Sequence, residues 1–174
     1  MQKPSPAVEL DPLGVGFDEL YRRDLASVVA VVYALCGNRW AAEDLAHDAF
    51  VVAFQRWDHV RSYERPGAFV RRVALNLAHS RMRRVGAEAR ALARFAVRQP
   101  PLVDALEPED ARFWAQVRRL PRRQREVVVL RYVEELSDAE IAVVLGCAES
   151  TVRVHAHRAT TTLAKTVQDE EVGS

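Results

Sequence analysis

The chain has 174 residues, of which 49% are apolar, and its 25 Lys and Arg nearly balance its 24 Asp and Glu. So high an apolar content excludes a disordered chain and is enough for one large or two small cores. No apolar run approaches the ~20 residues of a membrane span, and the N-terminus lacks an apolar signal core, so we expect a cytoplasmic protein without membrane insertion. Cys36 and Cys147 stand alone, which predicts two buried thiols rather than a disulfide or a zinc site.

The basic charge is concentrated in one block of the sequence. Residues 1–60 carry 5 basic and 9 acidic groups, a net charge of −4. Residues 61–98 carry 10 Arg and 2 Glu, a net charge of +8, and residues 99–150 carry 7 Arg and 10 acids, a net charge of −3. A dense arginine block between two acidic segments favours a polyanionic partner, although a solvated charged face has the same composition.

Two amphipathic helices are predicted after a Pro- and Gly-punctuated segment, 1–16, that we expect to be loose. The first runs from Phe17 to Leu35 and stops at Gly37-Asn38, a common C-terminal signal. The second runs from Trp40 to Trp57. Its buried side is expected to consist of the aromatic residues with one alanine: Trp40, Ala46, Phe50, Phe54 and Trp57.

A third, basic helix is predicted within Tyr63–Arg84, following the turn signal Glu64–Gly67, and a longer helix that continues past Gly86 fits the sequence as well. Its apolar face contains Phe69, Val70, Val73 and Leu77. Its arginines are expected to stay in solvent: Arg65, Arg71, Arg72, Arg81, Arg83 and Arg84. Asn76, a mediocre helix former, lies in the middle. Such a helix suits nucleic acid, but an ordinary solvated helix fits the same pattern.

The fold class predicted is all-α, with two small helical domains joined by a flexible linker. The first, residues 17–98, is a three- to four-helix bundle, and the linker, 99–110, is rich in proline and acids. The second, residues 111–167, is a four-helix domain containing a helix-turn-helix, and a tail follows at 168–174.

The helix-turn-helix is predicted from a capping box, a glycine stop and a second helix in register. Ser137 and Glu140 can cap the first helix, which ends at Gly146. Its inward residues, with those of the second helix, are Ile141, Val144, Leu145, Val152, Ala159 and Leu163. The exposed set on the second helix, from which a recognition helix reaches base edges and phosphates, is Thr151, Arg153, Val154, His155, His157 and Arg158. A helical hairpin packed for stability alone is the other interpretation.

Three segments in this order resemble a known family. Residues 41–57, AAEDLAHDAFVVAFQRW, resemble the polymerase-binding region of sigma factors of the extracytoplasmic-function (ECF) class, small relatives of sigma-70. Residues 65–84 resemble the promoter-melting region, and residues 120–159 the region that reads the upstream promoter element. The resemblance covers about residues 17–165. It implies a bacterial RNA polymerase sigma factor that binds core polymerase and recognises the −10 and −35 promoter elements.

The resemblance also implies roles for individual residues. Asp44, His47 and Asp48 align with positions that contact the coiled coil of the polymerase's largest subunit. Residues of the basic helix align with those that melt and read the −10 element: Arg65, Phe69, Arg72, Asn76, Arg83 and Arg84. For Phe69, packing in the core is an equally good interpretation.

The exposed set on the recognition helix aligns with the readers of the −35 element. Implied partners are core polymerase (its largest-subunit coiled coil and its flap), promoter DNA, and an anti-sigma factor, by which family members are commonly held inactive. No cofactor or metal is expected, and no enzymatic activity, because His47 with Asp44 and Asp48 lacks a nearby nucleophile. Two other functions stay open: a dimeric helix-turn-helix repressor, and a polymerase-binding adaptor that does not read DNA.

Overall fold

The computed structural model describes residues 16–92 and 108–172, with side chains at 16–91 and 112–165. The described residues form eight helices and no strand. Four helices make up the N-half: α1 Phe17–Cys36, α2 Arg39–Gln55, α3 Trp57–Val60 and α4 Pro66–Leu92. Four make up the C-half: α5 Pro108–Arg119, α6 Arg122–Val133, α7 Asp138–Leu145 and α8 Glu149–Val172. The all-helical class, with a bundle followed by a helix-turn-helix, is confirmed.

Three helix limits differ from the sequence prediction. α4 begins at Pro66, inside the predicted turn, where proline's missing N–H is tolerated, and it has the longer of its two predicted extents, continuing through Gly86 to Leu92. α5 begins at Pro108, inside the predicted linker, whose earlier residues lie outside the described part. α8 continues to Val172, into the predicted tail. The segment 1–16 also lies outside the described residues, except Gly16, which precedes α1.

The buried side of α2 is made of small residues, and the aromatic prediction for it is partly wrong. Phe50 and Ala46 are buried, but Trp40 is 77% and Phe54 62% exposed. The core positions are instead mostly alanines with one leucine: Ala41, Ala42, Leu45, Ala46, Ala49 and Ala53. Small side chains let α1 and α4 pack closely against this face, so no room remains there for the larger rings.

The core face of α4 is likewise rotated from the predicted one. Val70, Ala74, Leu75 and Ala78 are fully or almost fully buried. Val73, Leu77 and Phe69 are only partly buried at the edge of the core. Both cysteines are also only partly buried. Burial raises the pKa of the Cys36 thiol, whose Sγ lies 3.4 Å from the carbonyl oxygen of Asn38.

The helix-turn-helix is held by the local devices that the sequence predicts. Ser137 Oγ accepts a hydrogen bond from the Glu140 N–H, and the Glu140 carboxylate accepts one from the Ser137 N–H at 2.9 Å. Gly146 has φ +64°, a left-handed conformation that ends α7 at little cost for glycine. The six predicted inward residues are buried or packed against the core.

The two halves pack directly against each other. α1 contacts α5 and α6, and α4 contacts α7. Buried residues of both halves form one continuous hydrophobic cluster, in which Val28 and Leu35 of the N-half join Val117 and Val127 of the C-half. The two described halves therefore form one packed body, whereas the sequence predicts two domains joined by a flexible linker.

Candidate nucleic-acid interface

One face of α4 collects four of the six residues predicted to melt and read DNA. Arg65 directly precedes Pro66, the first residue of α4, and Phe69, Arg72 and Asn76 follow Arg65 at steps of four, three and four residues, which places the four along one side of the helix. We call this set the α4 stripe. All four side chains lie at the junction with the C-half. At the near end, Arg65 Nη1 lies 3.3 Å from Glu140 Oε1 in the first turn of α7.

Arg72 caps the C-terminal end of α7. Its Nε donates to the Val144 carbonyl oxygen at 2.8 Å, and its Nη2 donates to the Val143 carbonyl oxygen at 2.6 Å. The last carbonyls of a helix lack partners inside the helix and carry partial negative charge. A guanidinium is therefore a favourable partner for them, and Arg72 uses here the donors with which it would bind a phosphate.

Asn76 belongs to a polar cluster centred on the buried Glu126 of α6. Arg122 Nη2 donates to Asn76 Oδ1 at 2.9 Å, and Arg122 Nε donates to Glu126 Oε1 at 2.9 Å. Arg123 Nη1 donates to the other carboxylate oxygen at 3.0 Å, and His79 Nε2 lies 2.8 Å from Oε1. Burial alone would raise the pKa of Glu126, but its bonds to His79 and Arg122 outweigh burial and lower the pKa to about 2.

Phe69 is partly buried on the wall of a cavity of about 590 Å³ between the halves. Tyr63, Arg65 and Arg72 line the same cavity, and Ala139 and Val143 of α7 line it from the other side. The rings of Tyr63 and Phe69 are 6.0 Å apart. Phe69 is thus neither fully buried in the core nor fully exposed. Its ring lines a cavity that a small planar group could enter.

Arg71 does not stay in solvent, and that prediction is wrong. Its side chain is 15% exposed, its Nε donates to Glu134 Oε2 at 2.6 Å, and its Nη1 donates to Asp24 Oδ2 at 3.1 Å. A third bond reaches Ser27 Oγ at 3.2 Å. These bonds bring together α1, α4 and the segment after α6. Gly67 permits this, because a Cβ there would overlap the Asp24 carboxylate and the Arg71 guanidinium.

Arg83 and Arg84, the other two residues of the predicted melting set, are exposed farther along α4. Arg83 Nη2 donates to Ser80 Oγ at 3.1 Å. Both arginines lie beyond the four stripe residues, so the structure separates the six into a group at the junction with the C-half and a pair farther along α4.

The reading face of α8, defined by the six residues predicted to read duplex DNA, is mostly open. Thr151, Arg153, Val154, His157 and Arg158 are exposed. His155 is half-buried, and its Nδ1 is buried without a hydrogen-bond partner. α8 packs through its opposite side on α6 and α7, so the reading face remains directed outward.

The predicted polymerase contacts on α2 are exposed, and they have apolar neighbours that the sequence reasoning missed. Asp44, His47 and Asp48 face solvent, and Val51 and Phe54 continue the same face one and two turns on. We call these five residues the docking face. An exposed apolar patch beside acids is typical of a protein-binding surface. The sequence analysis predicts Phe54 for the core and gives Val51 no place, so this apolar surface is not predicted.

Two kinds of feature are absent from the described residues. No group of three or more His, Cys, Asp or Glu residues there is placed to hold a metal ion. Among the helices of the described part, none is long and apolar enough to cross a membrane.

Comparison with known proteins identifies both halves. Residues 20–88 match the family model for sigma-70 region 2, and residues 110–163 match that for sigma-70 region 4. The ECF RNA polymerase sigma factor SigW of Bacillus subtilis is 28% identical over 82% of this chain and 83% of its own length. The RNA polymerase sigma-E factor of Streptomyces coelicolor is 30% identical over 82% of this chain and 81% of its own.

Solved structures share the fold. A sigma factor RpoE in complex with the anti-sigma factor NepR from Bartonella quintana matches with a TM-score of 0.67 at 23% identity, over 87% of this chain and 96% of that one. CnrH in complex with the cytosolic domain of CnrY matches with a TM-score of 0.63 at 24% identity, over 88% of each chain.

A basic helix in a bundle and a helix-turn-helix beyond it, matching regions 2 and 4, define a factor that directs transcription initiation. The chain belongs to the sigma-70 family, as an ECF-class RNA polymerase sigma factor. Sigma factors are transcription initiation factors rather than enzymes.

Proposed function

We propose that the C-half reads the upstream promoter element as duplex DNA through the reading face of α8. The observation that carries this proposal is that five of its six side chains are exposed on a helix seated by a capped, glycine-terminated α7. This is the geometry by which recognition helices enter the major groove. Arg153 and Arg158 supply forked donors for guanine or phosphate, and His157 can donate or accept one bond.

The N-half holds the melted downstream element through the α4 stripe together with Arg83 and Arg84. Arginine side chains bind the strand backbone, and Asn76 offers an amide that can bond a base edge. The cavity beside Phe69 and Tyr63 has room for an unstacked base, whose extrusion costs a few kcal/mol that ring contacts offset. These residues bind rather than react, so the protein contributes no catalytic group.

The docking face of α2 binds core polymerase. Acids one turn apart on a helix, next to apolar side chains, fit a basic helical partner such as the coiled coil of the largest subunit, and the C-half would meet the flap. As a partner of polymerase the protein works in the cytoplasm, at the nucleoid. Relatives solved with anti-sigma factors suggest the same kind of inhibitor for this chain.

Run-off transcription tests these roles. Core polymerase with this protein should initiate within a template library randomised upstream of the start, and the recovered sequences should contain two spaced elements. Arg153→Ala should relax the upstream element only, whereas Asn76→Ala should impair opening more than binding. Arg22→Ala, an exposed arginine of α1, serves as the matched control. Equal transcription by core polymerase alone would contradict the proposal.

Gel shifts with and without core polymerase separate the two other functions. A repressor would shift duplex DNA in the absence of polymerase. An adaptor would bind polymerase, but polymerase would then shift the same duplexes with or without it. A sigma factor should require polymerase for a stable, sequence-specific shift, because each half alone makes a weak contact.

A further inference from the structure

His47 lies between the two carboxylates of the docking face. Asp44 precedes it by three residues and Asp48 follows directly, so the three side chains share the exposed side of α2. From α1, the ring of Tyr21 lies against the imidazole, with 6.1 Å between the ring centroids and 53° between the ring planes. The imidazole is therefore positioned by contact with a second helix, although it is exposed.

A hydrogen bond to the main chain fixes which nitrogen of His47 carries the proton. Nδ1 lies 2.7 Å from the carbonyl oxygen of Glu43, one turn earlier in α2. A carbonyl oxygen has no hydrogen to give, so Nδ1 must be the donor. In the neutral ring Nε2 then carries the lone pair, and no described residue donates a hydrogen bond to it. The second nitrogen of the neutral imidazole is consequently a free acceptor.

The polar side of the docking face presents acceptors only, as long as the imidazole is neutral. A partner helix of arginines and lysines presents donors only, which is the complementary pattern. Protonation of His47 would break this pattern, because Nε2 would become a cationic donor facing other cationic donors. Glu43, the remaining charged neighbour on α2, is already paired with Arg39 at 3.0 Å.

We propose that His47 is a specificity residue for core polymerase, which accepts a hydrogen bond from a basic side chain of the partner through Nε2 only while the ring is neutral. The inference rests on the polymerase-binding role proposed above for the docking face, and it adds a donor for His47 to recognise and a dependence on pH. Histidine is the side chain whose charge ordinarily changes between pH 5 and pH 8. Acidification in that range should therefore weaken the binding of polymerase, because a proton on Nε2 removes the acceptor.

Anisotropy titration of the labelled full-length chain with core polymerase, at pH 8.0 and pH 6.0 and at constant ionic strength, tests the pH dependence. His47→Gln keeps an oxygen acceptor but takes up no proton in this range. The control is His59→Gln, the same change at an exposed histidine of α3 outside the docking face. On acidification the Kd of wild type and of His59→Gln should rise about fourfold more than that of His47→Gln. Titrating groups of the polymerase act on all three proteins alike and cancel in this comparison.

A second comparison tests the hydrogen bond itself. His47→Ala removes the acceptor, whereas His47→Gln retains one, so at pH 8.0 the alanine variant should bind polymerase several times more weakly than the glutamine variant. The alanine variant should also lack the pH dependence of wild type. Because position 47 is exposed, neither change alters the core, and circular dichroism should show the same helical content for both variants.

Two results would overturn this inference. If acid raises the Kd of His47→Gln as much as that of wild type, protonation of His47 does not govern docking. If the alanine and glutamine variants bind equally at pH 8.0, Nε2 accepts no hydrogen bond from the partner. Asp48→Lys in the same assay separates either failure from that of the proposed function. A loss of affinity in Asp48→Lys, together with negative His47 comparisons, leaves the docking face in place and contradicts only the role given to His47.

Discussion

His79 of α4 and Glu126 of α6 form a buried pair across the two halves, with His79 Nε2 2.8 Å from Glu126 Oε1. Arg122 and Arg123 bind the same carboxylate from the solvent side. A carboxylate so deeply buried is stable only while these partners remain in place. Stability and the junction between the halves are therefore linked to the protonation of one side chain.

Stability should fall on acidification because of Glu126. Its folded-state pKa of about 2 lies below its ordinary value of 4.5, so its contribution is complete above about pH 4.5 and disappears as the pH falls towards 2. The shift corresponds to about 3 kcal/mol. Urea unfolding between pH 7 and pH 2.5 should show this slope, to which Asp24 and Glu140, whose pKa values are also lowered, add; Glu126→Gln should make the slope shallower and lose a comparable stability at pH 7. Glu88→Gln, at an exposed position of α4, should keep both.

Gly146→Ala should destabilise the protein by about 1 kcal/mol or more. Gly146 has φ +64°, and a Cβ there would stand 3.2 Å from Arg72 Nη2. Both the turn after α7 and the Arg72 cap would be strained. Gly86→Ala is the control, since that glycine lies within α4 with nothing near its Cβ position, and it should stabilise by roughly 0.5–1 kcal/mol. Thermal melts measure both, and equal shifts would contradict the explanation.

Ser137→Ala should cost about 1 kcal/mol, because it removes one arm of the capping box of α7. The loss should fall on α7, whose amides should exchange hydrogen faster than those of α2. Ser150→Ala, an exposed serine in the first turn of α8, should change unfolding by a few tenths of a kcal/mol at most. A uniform rise in exchange across both halves would show that the cap acts globally instead.

Sequence reasoning predicted the helices and the helix-turn-helix because their signals are local. The capping box at Ser137, the glycine at Gly146 and the apolar spacing of α7 act over a few residues. The pairing of Arg71 with Glu134 depends on residues 63 positions apart, and nothing in the local pattern of either residue predicts it. Arg71 resembles any other arginine on the polar side of α4, and only the packing of the halves distinguishes it.

The α2 error has a different physical origin. The sequence analysis places the large apolar residues of α2 in the core, because burial of large apolar surfaces is favourable. In α2 the alanines are buried instead, because close approach of α1 and α4 fills space better than aromatic rings would. Trp40 and Phe54 consequently lie at the surface, and their spacing in the sequence does not distinguish them from buried residues.

The docking face of α2 should respond to charge and to apolar surface separately. Asp48→Lys places a like charge against a basic partner helix and should weaken binding to core polymerase about tenfold or more at low salt. This loss of affinity should shrink steeply as added salt screens the repulsion. Val51→Ser removes an apolar contact from an exposed position, and the affinity that it loses should be nearly the same at low and high salt. Anisotropy titration of labelled protein with core polymerase measures both, and Glu88→Lys on α4 controls for the charge change. If Asp48→Lys and Val51→Ser both bind as wild type does, α2 is not the surface that meets polymerase, since either change would alter a contact made there.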